Sequence, residues 1–534
     1  MVLETGDSMR PIMLAAAAFL SIAAPQAAQA AWLEASSDHF VIYADDSERA
    51  VGQFADRLER YHSALALLTG SSAAVPSPSN RVTVFVVSDV SAVKRLFGEG
   101  GRYVGGFYIP RAGGSVAFVP RRTDLFGDGN GAMTTLLHEY AHHFLISSNS
   151  QPLPRWIVEG SAEFFSSTSF ANDGSMKVGR AAVHRAYDLF NARDVQAADL
   201  LDSSKYDKRK NKGYDAFYGK SWLMYHYLTF EASRQGQLQT YVTLIAKGKP
   251  WRTAALEAFG DFEKLEMELD SYLLRPRMNV LSLSASRIPP AKVSIRRMGP
   301  GETAMMPIRL RSDRGVDRES AQAVLAQARP IAARFPNDAS VLASLAEAEY
   351  DAGNDKEAIA AADAALTIDP GKTEAYVQKG FALFRMAASA DDRPAAYKRA
   401  MMPFIKLNRI ENDHPMPLIY FYRSQVGSGE KPTELALSGL QRASDLAPFD
   451  SGLRINLATA LLKQGKKEQA RDALTPVAFD PHGGGMSSGA RALLTRLDND
   501  PSWNGEDADA VLVRAAKEPD DAAVPEAEDK TVRP

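Results

Sequence analysis

Residues 134–147 read TTLLHEYAHHFLIS, and residues 154–165 read PRWIVEGSAEFF. Residues four apart share a helix face, so the first stretch sets His138 and His142 side by side, with Glu139 rotated off that face. Two imidazoles so placed can reach one ion, and a catalytic zinc takes three protein ligands plus an open position for water. The third ligand must come from elsewhere. Three residues past His142 stands Leu145 rather than glycine, which excludes the pattern in which a third histidine follows closely. The second stretch offers carboxylates instead. Glu159 and Glu163 are again four apart, and the sixteen residues between His142 and Glu159 leave room for a loop and an antiparallel return. Such a return would bring Glu159 to the ion and leave Glu139 facing a water as general base. Glu163 could then accept a hydrogen bond from a ligand histidine's second nitrogen and fix its tautomer. His143 points off the ligand face and reads as structural. Trp156 reads as packing the second helix against the first.

Around these stretches the chain has short strands first and helices later, an α+β order. HFVIYA (39–44) and RVTVFVVS (81–88) read as strands, SERAVGQFADRLERYHSALALL (47–68) as a helix, and VGGFYIP and GSVAFVPR as a hairpin or adjacent edge strands. YDAFYGKSWLMYHYLTFEA (214–232) reads as a further helix. The segment KVSIRRMGPGETAMMPIRLRS (292–312) looks β-like and suggests a hairpin-bearing connector. Beyond it the pattern is helical and periodic. Pro336 and Pro370 lie thirty-four residues apart, the period of a tetratricopeptide repeat, and Gly353 with Ala358 recurs as Gly465 with Ala470.

HEYAH followed by W-x-x-E-G-x-A-E-F resembles the gluzincin metallopeptidases, most nearly the peptidase-MA-like domains of bacterial exported proteins and more distantly the aminopeptidase-N-like enzymes. The resemblance covers about residues 32–274. It implies a zincin-type catalytic domain, one Zn2+ on His138, His142 and Glu159, and hydrolysis of peptide bonds with Glu139 as base. It also implies that Tyr218, in FYGKSWLMYHYL, stabilises the oxyanion; His226 on the same helix is a rival for that role. The aminopeptidases' G-x-M-E-N motif is absent before the zinc helix, where the chain reads AGGSVAFVPRR, so the implied activity is that of an endopeptidase. Substrates in this clan lie along an edge strand, and GSVAFVP is the stretch expected to form it.

The 534 residues exceed one hydrophobic core, and the division expected is a signal peptide (1–30), a peptidase domain (31–274), a connector (275–317), a tetratricopeptide-like all-α solenoid (318–500) and an acidic disordered tail (501–534). The leader PIMLAAAAFLSIAAP ends at Ala28-Gln29-Ala30, an A-x-A cleavage site, which predicts export to the periplasm or beyond, with no membrane span after cleavage. There are no cysteines, so no disulfide staples the exported chain. The net charge is −3 with no concentrated basic face, which speaks against a nucleic-acid partner. The partners expected are a protein or peptide substrate in the cleft and a protein on the repeats. The competing expectation is a zincin–repeat scaffold that binds envelope proteins without cleaving them.

Overall fold

The computed structural model describes residues 32–71, 75–98, 104–121, 131–148, 153–191, 195–202, 216–480, 484–500 and 502–515. The leader and most of the loop before the HEYAH helix lie outside them.

The N-terminal part is built on a six-stranded sheet: β1 (Leu33–Ser36), β2 (Phe40–Ala44), β3 (Val82–Val87), β4 (Phe107–Ile109), β5 (Val116–Pro120) and β9 (Ser294–Arg297), in the order β4-β5-β3-β2-β1-β9. β2, β3 and β5 run parallel, whereas β4 is antiparallel to β5, and β1 is antiparallel to both β2 and β9. The valine-rich β3 is buried on both faces, as a central parallel strand is expected to be. Val82, Val84 and Val86 join the main core with α1 (Glu48–Thr69), while Phe85 faces the other way, among Tyr43, Phe118 and Met306. A short helix α2 (Val90–Phe97) follows β3.

The HEYAH helix is α3 (Gly131–Ser148), and the second stretch is α4 (Arg155–Ser166). The short helices α5 (Ala186–Asn191) and α6 (Ala197–Leu200) lead to α7 (Phe217–Phe230), and α8 (Gln237–Ala246), α9 (Trp251–Phe259) and α10 (Phe262–Leu273) complete the domain. A second sheet of three strands joins β6 (Ser169–Phe170), β7 (Met176–Val178) and β8 (Leu281–Leu283).

Four expectations are corrected here. GSVAFVP is not the edge: β5 sits between β3 and β4, and the edge on that side of the sheet is β4, in register Phe107↔Phe118. The connector holds no hairpin. β8 pairs with β7 and β9 pairs with β1, each completing a sheet laid down much earlier in the chain. The β-like reading also failed after Arg297, because Gly299, Pro300 and Glu302 are helix-start residues: the Glu302 carboxylate accepts from the Gly299 amide, Pro300 opens the first turn, and α11 (Pro300–Arg314) follows. Finally, the segment 501–534 is not without structure throughout. α22 (Ala508–Ala515) lies within it, with Trp503 buried, because the apolar residues of this stretch pack on the preceding pair; residues 516–534 lie outside the described residues.

The C-terminal half is an all-helical array of paired repeats: α12 (Arg318–Arg334), α13 (Ala339–Asp351), α14 (Asp355–Ile368), α15 (Thr373–Ala388), α16 (Arg393–Ile410), α17 (Pro415–Ser428), α18 (Glu434–Leu446), α19 (Ser451–Leu462), α20 (Lys467–Ala478) and α21 (Gly485–Asn499). The first helices of successive pairs start at 339, 373, 415, 451 and 485, intervals of 34, 42, 36 and 34. Gly353 and Gly465, recurrent in the sequence, both hold positive φ (90° and 73°) where one helix of a pair turns into the next. The 373–447 region, weak in pattern, is also two helix pairs. Among the described residues no helix is long and apolar enough to cross a membrane.

Candidate metal centre

Helix α3 is anchored from below. Tyr61 of α1 donates its hydroxyl proton to the Leu137 carbonyl (2.9 Å), and the Tyr140 hydroxyl meets His62 Nδ1 (2.8 Å). That leaves the opposite face of α3, with His138 and His142, turned toward α4. The two Nε2 atoms are 3.0 Å apart, and each lies 3.3 Å from Glu159 Oε2. Three ligand atoms about 2.0–2.1 Å from a tetrahedral zinc stand about 3.3 Å from one another. The donor set and its spacing therefore fit a single zinc-sized ion held through two Nε2 atoms and one carboxylate oxygen. Glu159 is completely buried, and an anion at that depth is costly unless a cation shares the site. Burial works against the charged form of His138, but Glu159, Glu163 and Glu139 outweigh it and push His138 up to about 9. The pocket stabilises positive charge.

Glu163 sits one turn further along α4 and is also completely buried. Its Oε1 is 3.5 Å from His138 Nδ1, the nitrogen turned away from the triad. Glu163 is tied from outside by two residues the sequence reading missed. Arg185 places Nε and Nη2 at 3.0 and 2.6 Å from Oε1, and His184 Nε2 lies 2.7 Å from Oε2. Burial alone would raise the carboxyl; Arg185, His184 and His138 instead hold it far below the usual carboxylate range. Nothing local marks VHRA as a partner of α4, since some twenty residues of chain separate them and β6 and β7 lie between.

Tyr218 reaches the same place from α7. Its ring centre is 6.5 Å from that of His138, and the Arg185 guanidinium covers its other side at 4.9 Å. Burial, then the charge of Glu159, raise its hydroxyl well above the usual range, so it is a proton donor at any ordinary pH. What lets α7 come so close is Gly160: a Cβ there would lie 2.5 Å from the Ser221 carbonyl oxygen. Glu139 is half-buried, within electrostatic reach of both His138 and Tyr108 of the edge strand β4.

The reading of one residue changes. His226 is not at the triad. It is buried between Trp222, Phe164 and Phe230, with Nδ1 2.9 Å from the Tyr272 hydroxyl and Nε2 3.0 and 3.1 Å from the Gly179 and Asn279 carbonyls. Trp156 is buried in the core cluster that also holds α3 residues, and its ring stacks on Tyr241 of α8 and meets Phe259 of α9 edge-on. His143 is a packing residue, as expected, between Tyr108, Tyr140 and Phe449.

Residues 132–252, which span α3, α4 and α7, match the family described as "Protein of unknown function (DUF1570)". Among curated proteins none matches this chain. Solved structures also show similarity to this chain, among them the following. MamA from Desulfovibrio magneticus RS-1 is 20% identical with a TM-score of 0.26, covering 33% of this chain and 93% of its own. A thermophilic TPR protein of Thermus thermophilus is 16% identical with a TM-score of 0.28, covering 40% of this chain and 96% of its own. YrrB, described as a TPR protein with an unusual peptide-binding site, is 18% identical with a TM-score of 0.27, covering 36% and 95%.

Proposed function

We propose that this chain is an exported, periplasmic or secreted, zinc-dependent endopeptidase. The observation that supports this most is the triad: His138, His142 and Glu159 set three ligand atoms at 3.0–3.3 Å from one another, beside a second carboxylate and a buried tyrosine. His138, His142 and Glu159 would hold the ion, and Glu163 would keep His138 in the tautomer whose Nε2 is free to bind. Zinc bound there would acidify a water and polarise a peptide carbonyl. Glu139 takes the proton of the attacking water and passes it to the leaving amine. Tyr218 donates its hydroxyl hydrogen bond to the oxygen on which negative charge develops. The short edge strand β4 gives an extended peptide a backbone to pair with, which favours cleavage within a chain and weak side-chain selection. The helical repeats are the surface for a protein partner or for the rest of a protein substrate.

The test is incubation of the purified protein with a mixed peptide library, with and without a chelator. The reading requires internal cleavages that stop on chelation and return with zinc. Tight binding of zinc and of a protein partner with no cleavage in any library would favour the scaffold.

A further inference from the structure

The turn between β4 and β5 does not end in solvent. The Ala112 amide donates to Asp450 Oδ2 (2.9 Å), and the same carboxylate, through Oδ1, accepts from the Leu453 amide (2.8 Å) as N-cap of α19. Arg111 Nη2 donates to the Asp313 carbonyl (2.8 Å) near the end of α11. Gly113, at φ +77°, is where any side chain would press on Met416 and His414, 3.3 and 3.4 Å from an added Cβ. Ala112 is buried in the apolar cluster of the repeats, with Ile419, Phe449 and Leu453.

Helix α3 reaches the same spot. The His143 ring lies 4.4 Å from that of Phe449, and Ile146 packs on the same cluster. His143 Nδ1 in turn lies 2.6 Å from the Tyr108 hydroxyl on β4. Edge strand, metal helix and repeats therefore meet around one histidine, next to His142. A second strut runs alongside, where the Ser79 amide and hydroxyl both donate to Glu411 Oε1 (2.9 and 2.6 Å).

β4 has three residues and one paired neighbour, so its own ladder holds it weakly. Its turn, by contrast, is fixed at the far end by a charged acceptor and an apolar seat. We propose that Phe449 and Asp450 are positioning residues: through them the helical array holds the edge strand β4 against helix α3 and so forms part of the cleft. What β4 is held for rests on the peptidase reading above; the clamp itself does not. The array is then not only an adapter for partners but a component of the site.

The experiment uses the full chain with Phe449→Ala, Asp450→Ala, Phe449→Tyr and Thr433→Ala. Thr433 caps α18 through the Ala436 amide (3.2 Å), so its variant controls for loss of a cap away from the hairpin. Amide hydrogen exchange over residues 107–118 should quicken by about tenfold or more in Phe449→Ala and Asp450→Ala, as local opening becomes easier, and stay at the wild-type rate in the other two. KM for a cleaved peptide should rise roughly three- to thirtyfold in the same two variants, with kcat changed less and zinc content unchanged. Wild-type exchange at the hairpin in both variants would overturn the clamp. Faster exchange with an unchanged KM would overturn its role at the site. A wild type that cleaves nothing, while its variants still loosen the hairpin, would sink the peptidase reading and leave the clamp standing.

Discussion

At the scale of single residues, the proposed function assigns the holding of a cation and the movement of a proton to different groups. Glu159 is buried with two imidazoles, whereas Glu139 is half-buried on the neighbouring side of α3. On that proposal Glu139→Gln keeps the shape of the side chain and removes the base. Hydrolysis should fall by roughly two to four orders of magnitude with zinc content and melting temperature unchanged; full activity in this variant would place the base elsewhere. His226 makes a different prediction. Burial lowers it from 6.5 to about 4, and its neutral form is matched to the Tyr272 hydroxyl and two carbonyls. Between pH 6.5 and 4 the unfolded chain binds a proton there that the folded chain does not, so stability is fully present above 6.5 and is lost as pH falls. The loss attributable to this residue is on the order of 3 kcal/mol. Melting followed by circular dichroism across that range should show a shallower pH slope for His226→Gln than for wild type, and an equal slope would refute the assignment. The pairing of His138 with His142 was legible in the sequence because i, i+4 spacing is local, and Glu159 was expected beside them from an antiparallel return of the chain; the structure brings these three together. His184, Arg185 and the partners of His226 were not legible, because those contacts are made by chain segments with no shared period.

At the scale of elements, the approach of α4 to α7 decides whether Tyr218 reaches the triad. A Cβ on Gly160 would stand 2.5 Å from the Ser221 oxygen and 2.9 Å from its carbonyl carbon, backbone atoms that no rotamer change can move. Gly160→Ala should therefore push the helices apart, at a cost of about 1–3 kcal/mol, the range for overpacking. A fall of several degrees in melting temperature, with activity lost beyond the fraction unfolded, is the expected result. A variant as stable and active as wild type would mean that the close crossing is not needed. Helices α3, α4 and α7 stand where the sequence led us to expect helices. Strands β8 and β9 could not be placed, since a three- or four-residue strand carries no mark of the partner it pairs with. β9 reaches β1, more than 250 residues earlier in the chain, and so closes the sheet.

For the whole molecule, α11 is the shared element. Met306 and Leu310 cover one face of the N-terminal sheet beside Tyr43, Phe85 and Phe118, while Met305 and Ile308 pack with Val324, Leu325 and Val341 of the repeats. The boundary expected at residue 318 cuts this helix from the array it starts. A fragment 300–515 should melt cooperatively, and a fragment 318–515 should be less stable by several degrees, because it exposes the first core layer of the array; equal melting temperatures would show that α11 belongs to the sheet alone. The repeat period was legible because small residues recur at fixed intervals, whereas the docking of the repeats on the hairpin at Ala112 was not, because the contact with Asp450 joins segments 338 residues apart. The central claim remains that three side chains form one zinc site. Elemental analysis of protein purified without added metal tests it most directly. The wild type and Glu139→Gln should each carry one zinc per chain, and folded His138→Ala and Glu159→Ala should carry almost none. A folded wild type without zinc that takes up none when it is supplied, or a His138→Ala variant that keeps its full complement, would contradict the account.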